Sequence, residues 1–153
     1  MKKYKIGYTT GVFDMFHIGH LNILRRAKEQ CEYLIVGVST DELTRSYKGK
    51  TPVIPYEERF AIVEAIRYVD RVVPQITMDK MQAWQDLRFD ALFHGSDWKG
   101  SEMYNNLIRQ FREVGTEVVF LPHTNGTSST ELAKYIKEEL DEHSDDIAYH
   151  SDL

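Results

Sequence analysis

The sequence predicts an α/β domain: five parallel β-strands in one sheet, with helices on both faces. Three observations predict it. Short apolar runs alternate with amphipathic stretches along most of the chain, and Tyr33 to Ser39 has the near-continuous apolarity of a strand buried on both faces. The stretches between the runs are long enough to be crossover helices, which join parallel neighbours right-handedly. The unusual polar residues gather just after the strands, where ligands bind in such sheets. The expectation is one Rossmann-like domain over residues 1–142 and an acidic tail over 143–153.

The elements follow in order. Lys5 to Thr10 reads as the first strand, and Gly19 to Gln30 as a helix with Leu21, Leu24 and Ala27 facing inward. Tyr33 to Ser39 is the second strand. Thr40-Asp41 caps a short helix, and Arg45 to Val53 is a polar loop containing Lys48-Gly49-Lys50. Pro55 opens a helix at its first turn, with Phe60, Ile62, Val63 and Ile66 as its apolar stripe. Arg71 to Val73 is a short strand, Asp79 to Leu87 a helix, and Asp90 to His94 a strand. Glu102 to Glu113 is a helix and Glu117 to Leu121 the last strand; Ser128 caps a final helix reaching about Leu140.

Composition narrows the function. With 153 residues, 42% of them hydrophobic, the chain can build one good core and is not a disordered protein. Its single cysteine, Cys31, permits no internal disulfide and no thiolate metal cluster, which suits a reducing cytoplasm. Cys31 is expected at the end of a helix, in a structural role. No signal peptide and no membrane-spanning stretch is expected from the pattern. The net charge of −5 conceals an asymmetry: seven acids and no Lys or Arg follow Lys137, leaving 17 acids against 19 bases in residues 1–137. A local basic pocket for a small anion is compatible with that balance, whereas the charge profile of a nucleic-acid binder is absent.

The segment from Gly11 to His20 carries the chemistry. It follows the first strand and ends in His17-Ile18-Gly19-His20, two histidines three apart across a glycine, where a helix should begin. A helix N-terminus offers unpaired N–H groups and the positive end of a dipole, a ready anion site. Two imidazoles there can stabilise charge developing on a phosphate. Isolated, such a pair more often packs a first turn; the glycine, the preceding strand and the later basic loop favour the phosphate reading.

Four blocks carry a family resemblance: Gly11 to His20, Lys48-Gly49-Lys50, Arg67-Tyr68-Val69-Asp70, and His123-Thr124-Asn125-Gly126-Thr127-Ser128-Ser129-Thr130. Together they resemble the cytidylyltransferases among the HIGH-motif nucleotidyltransferases, over about Lys5 to Ala133. The resemblance implies Mg²⁺-dependent reaction of CTP with a phosphorylated small alcohol, best suggested as glycerol 3-phosphate, giving a CDP-alcohol and pyrophosphate. By the resemblance, His17 and His20 contact the phosphates near the α-position, and Val12, Phe13 and Gly19 line the nucleotide. Lys50 faces the CTP phosphates and Lys48 the phosphoalcohol. Lys80 is either a second substrate lysine or an exposed residue at a helix start. Asp14 either contacts the metal or caps the turn. Asp97 either reads the amino edge of cytosine, with Trp98 covering a base face, or belongs to an ordinary turn. Arg67 and Asp70 are either a surface ion pair or a homodimer contact close to the active site.

The chemistry suits these residues. A phosphate monoester is mostly dianionic at neutral pH and needs no general base. Charge opposes the reaction, so catalysis should rest on positioning and electrostatic stabilisation. The last block departs from the family, which has arginine in place of His123 and glutamate in place of Asn125. Gly126, Thr127, Ser128, Ser129 and Thr130 still offer hydroxyls and N–H groups to a triphosphate, together with Thr124. The departure leaves open another phosphoalcohol, for a capsule or teichoic-type polymer. An adenylyltransferase on the same scaffold and a non-catalytic nucleotide-binding module are the rival readings.

Overall fold

In the computed structural model, residues 2–96, 99–124 and 129–142 are described, apart from the side chains of Ser129 and Glu142. Strand β1 (Tyr4–Gly11) lies at the centre of the sheet. Helix α1 (Ile18–Gln30) leads to β2 (Cys31–Ser39), and α2 (Asp41–Lys48) and α3 (Tyr56–Glu64) lead to β3 (Arg71–Gln75) at one edge. The chain then crosses to the other side of β1, where α4 (Lys80–Leu87) precedes β4 (Ala91–Gly95) and α5 (Glu102–Glu113) precedes β5 (Glu117–Leu121). Helix α6 (Ser129–Glu142) follows. The order is β3-β2-β1-β4-β5 and every pair is parallel. Successive connections therefore leave β1 in opposite directions, which makes the gap between β1 and β4 the topological switch point.

Side-chain alternation along the strands builds two cores. Leu34, Val36 and Val38 of β2, with Ala91 and Phe93 of β4, join Leu24 and Ala27 of α1 and Val63 of α3 in one apolar cluster. The intervening Ile35 and Leu92 join Tyr8, Phe89 and Phe111, against Trp84 and Leu87 of α4. Helices thus cover both faces, as expected. Each fully buried valine, leucine, isoleucine or phenylalanine among them contributes roughly 1.5–3 kcal/mol by its removal from water.

Several boundaries differ from expectation for physical reasons. Cys31 does not end a helix; it begins β2, wholly buried, its Sγ 2.8 Å from where a Cβ on Gly7 would stand. Burial raises its thiol pKa, as an inert structural cysteine requires. Arg45 to Lys48 is helical rather than loop: the Thr40 side chain caps α2, acids open it, basic residues close it, and Gly49 ends it at φ 71°. Only Thr44 of α2 is buried, so its polar sequence hid the helix. Strand β3 continues through Pro74 to Gln75, which an edge strand tolerates. Ile62 is 42% exposed and leaves the stripe of α3, whereas Val63 is fully buried. Arg67 and Asp70 do not pair with each other. Asp70 accepts from the Leu34 N–H at 2.7 Å and from Lys28, tying β2 to α1, while Arg67 lies against Tyr68. Asp70 precedes β3, so both residues sit at the amino edge of the sheet, away from this chain's own crevice.

Candidate active site

The turn from β1 into α1 is backbone-strained. Phe13 has φ 55° and Met15 φ 48°, left-handed values that side chains adopt at a cost of about 1–3 kcal/mol each. Burial of Phe13 at 5% exposure, with its ring 5.5 Å from that of His20, helps hold the turn. His17 then serves as the N-cap of α1. Its Nδ1 accepts from the Gly19 N–H at 3.0 Å, and His20 Nδ1 accepts from the His17 N–H at 3.2 Å. Together these close a capping box made of two imidazoles. The rings stack with centroids 3.9 Å apart.

This geometry fixes the chemistry of the pair. A backbone N–H can only donate, so each Nδ1 must carry a lone pair and each neutral ring bears its proton on Nε2. Burial lowers the pKa of His17. Burial, and then the charge of His17, push His20 down to about 4. Both rings are neutral at pH 7 and present Nε2–H donors. The His17 Nε2 is buried without a hydrogen-bond partner among the described residues. The expected anion site is therefore modified: the rings take up two of the N–H groups at the helix start and offer their own donors instead.

A cavity of about 550 Å³ opens at the carboxyl ends of the strands, lined by Val12, Phe13, Asp14, His17, Gly19 and His20. The end of β1 divides it. Towards β2 and β3 it is lined by Ser39, Tyr47, Lys48, Gln75 and Lys80, and towards β4 and β5 by His94, Gly95, Tyr104, His123 and Thr124. Thr130, at the start of α6, also lines it. Lys50 lies outside this cavity, in an adjoining gap of about 80 Å³ shared with Lys48, Asp14 and Thr130. Asp97, Asn125, Gly126, Thr127, Ser128 and the Ser129 side chain lie outside the described residues, as does the tail 143–153.

Two side chains have sharply defined settings. Lys80 is 7% exposed, not solvated at a helix start; its Nζ donates to Thr10 Oγ1 at 2.7 Å. Burial lowers its pKa to about 8, and no carboxylate forms an ion pair with it among the described residues. A nearly dry ammonium on a cavity wall fits an anionic ligand. Asp14 accepts from the N–H groups of Val53 and Ile54 at 2.8 and 2.9 Å, so it anchors the segment carrying Lys50 to the first turn. No group of three or more His, Cys, Asp or Glu residues that could hold a metal exists among the described residues. Among the described residues, Asp14 is the one carboxylate on the cavity lining. A single carboxylate there fits Mg²⁺ brought in on phosphates.

The sequence reading missed the supports. Asn22 of α1 donates to Thr124 Oγ1 at 3.0 Å, and Arg26 to the Pro122 carbonyl at 3.0 Å, fastening the segment after β5. Ser39 donates to Gln75 in a buried pair at the cavity floor. Arg59, 1% exposed, binds three backbone carbonyls and Asp41. None carries a motif, although a charged Arg59 within an otherwise apolar helix stripe was a readable signal.

A parallel sheet with its crevice at the switch point, and two neutral imidazole donors at the head of the first helix, make a site suited to phosphate chemistry, and similarity to known proteins gives its class as a nucleotidyltransferase. The cytidylyltransferase-like family model matches residues 8–135, and the chain belongs to that family. Glycerol-3-phosphate cytidylyltransferase of Bacillus subtilis (strain 168) is 41% identical over 133 residues, 86% of this chain and 94% of that protein. Its Staphylococcus aureus (strain NCTC 8325 / PS 47) counterpart is 38% identical over 133 residues, 86% of this chain and 92% of that one. Among solved structures, a lipopolysaccharide core biosynthesis protein from Thermoplasma volcanium GSS1 superposes with TM-score 0.66 at 27% identity, covering 79% of this chain and 97% of that one. No helix among the described residues is long and apolar enough to cross a membrane.

Proposed function

We propose that this protein transfers CMP from CTP to glycerol 3-phosphate, releasing pyrophosphate. The observation that carries the reading is the imidazole capping box on the cavity wall, in a chain about 40% identical to glycerol-3-phosphate cytidylyltransferases over most of their length. The acceptor phosphate attacks the α-phosphorus of CTP, the new P–O bond forms, and the bond to the pyrophosphate oxygen breaks. His17 and His20 donate from Nε2 to the oxygens of the pentavalent transition state. The nucleotide lies towards β4 and β5, against Val12, Phe13, Gly19, Asp97 and the segment His123 to Thr130. Lys50 reaches its phosphates.

Glycerol 3-phosphate lies on the other side of β1, its phosphate held by Lys48 and Lys80. Asp14, on the cavity lining, would face an Mg²⁺ carried in on the triphosphate, which would supply charge neutralisation there. A homodimer forms through the amino edge that bears Arg67 and Asp70. Pyrophosphate release from CTP, ATP, GTP and UTP against a panel of phosphoalcohols tests the reading. Turnover with CTP and glycerol 3-phosphate is expected, and turnover with ATP alone would overturn it.

The two loop lysines should separate kinetically. Lys50→Ala is expected to raise KM for CTP, and Lys48→Ala to raise KM for glycerol 3-phosphate, each by about 10-fold, because each charge faces a different anion. Initial-rate matrices in both substrates decide it; equal effects on both constants would reject the division.

A further inference from the structure

Beyond their last ladder pair, Gly11 with Val38, strands β1 and β2 separate to open the crevice. The next two residues, Val12 and Ser39, do not continue the β1–β2 ladder, although Ser39 still pairs with Gln75 of β3. A single guanidinium nitrogen joins them instead: Arg59 Nη1 donates to the Val12 carbonyl at 2.6 Å and to the Ser39 carbonyl at 2.7 Å. Its Nε donates to the Ile54 carbonyl at 2.8 Å, and its Nη2 to Asp41 Oδ1 at 2.7 Å.

Each partner belongs to a different arm of the site. Val12 leads into the strained turn that carries His17 and His20. Ser39 is on the cavity floor. Asp41 begins α2, which ends in Lys48. Ile54 closes the segment that carries Lys50, and its N–H is held in turn by Asp14. Arg59 itself does not line the cavity.

We propose that Arg59 is a positioning residue for nucleotidyl transfer. It sets how far β1 and β2 diverge, and with that the distance from the imidazole donors to the lysines. The inference rests on the transfer reaction proposed above. A planar fork with fixed donors can hold three carbonyls and a carboxylate at once, which a lysine cannot do. A buried ion pair is weak evidence for a stabilising role, since apolar residues of similar volume often stabilise as well. A bridge across two diverging strand ends, by contrast, does what packing cannot: it defines a spacing.

The test is Arg59→Lys, with the folded fraction measured by circular dichroism alongside kcat and both KM values at a temperature well below the melting point. Per folded molecule, kcat is expected to fall by about 10-fold or more, with both KM values rising, as a displacement of order 1 Å would produce. A purely structural role would lower the rate only in proportion to the folded fraction and leave both KM values unchanged, and that result overturns the proposal. Should the lysine variant not fold, Asp41→Asn carries the same test. It weakens one prong of the fork, because the neutral amide keeps an acceptor oxygen for Nη2 but loses the carboxylate charge, so a smaller change of the same kind is expected and unchanged constants overturn the inference. If the parent protein turns over no CTP with any phosphoalcohol, the proposed function fails first; an active parent with unaltered variants rejects Arg59 alone.

Discussion

Alanine at His20 is expected to lower kcat by about 10²-fold or more, the scale of one lost oxyanion-type donor, and alanine at His17 by a similar factor. Both rings are neutral with Nε2–H donors, so the loss falls on charge that exists only in the transition state. KM for either substrate should move far less. Part of the effect comes from the helix start, because removing an N-cap side chain costs about 1 kcal/mol. The pH dependence carries its own sign. His20 has a folded pKa of about 4 against the usual 6.5, so between these values the unfolded chain binds more protons than the folded one. Stability is therefore full above about 6.5 and declines as pH falls towards 4, and His20→Ala should flatten that decline. Steady-state kinetics and denaturant titrations at several pH values check both parts. Near-normal turnover in either alanine variant would remove the histidines from the mechanism.

Lys80→Met should move activity and stability in opposite directions. Loss of a desolvated charge facing the acceptor phosphate is expected to lower kcat/KM for glycerol 3-phosphate by about 10²-fold, the usual cost of truncating one partner of a buried charge pair. KM for CTP should stay close to that of the parent. Without substrate, the lysine is a burden: burial brings its pKa to about 8 from 10.5, so the folded state binds fewer protons across that interval. Stability of the parent should rise as pH increases from about 8 to 10.5, and the methionine variant should lack this rise. At pH 7 the variant should be the more stable by on the order of 1–3 kcal/mol. A less stable variant at pH 7 would mean that the ammonium is compensated in the free protein. In the parent, KM for the acceptor should increase above about pH 8 as the charge is lost.

What the sequence disclosed follows from the range of the forces involved. The strands were legible because a parallel strand covered on both faces must be apolar throughout, as Leu34 to Val38 are. Helix α5 and strand β5 were read with correct limits, since Ser101 and Gly115 punctuate them. The His17–His20 turn was legible because a short spacing at a strand-to-helix junction carries its own chemistry. The end of α2 was not, because its stability comes from caps and charge order rather than from an apolar stripe. The setting of Lys80 depends on Thr10, seventy residues earlier, and that of Arg59 on three separate segments. Contacts of that reach leave at most a hint in a single sequence, such as the charge of Arg59 in an apolar stripe, and never name the partners. They appear only when the sheet order brings the strand ends together.

The double duty of the imidazoles has a consequence for what else could stand in their place. Each ring accepts on one side of a flat group and donates on the other, and among uncharged side chains the carboxamide has the same arrangement. Asparagine also ranks with the best residues at a helix N-cap, and serine does too, but serine has no second donor reaching the cavity. At position 17, then, serine should restore helix order without turnover, whereas asparagine should restore both in part. The series Ala, Ser, Asn separates fastening the helix from touching the phosphate, two duties that any alanine variant confounds. Equal turnover for His17→Ser and His17→Asn would mean that the ring matters at this position chiefly as a clasp.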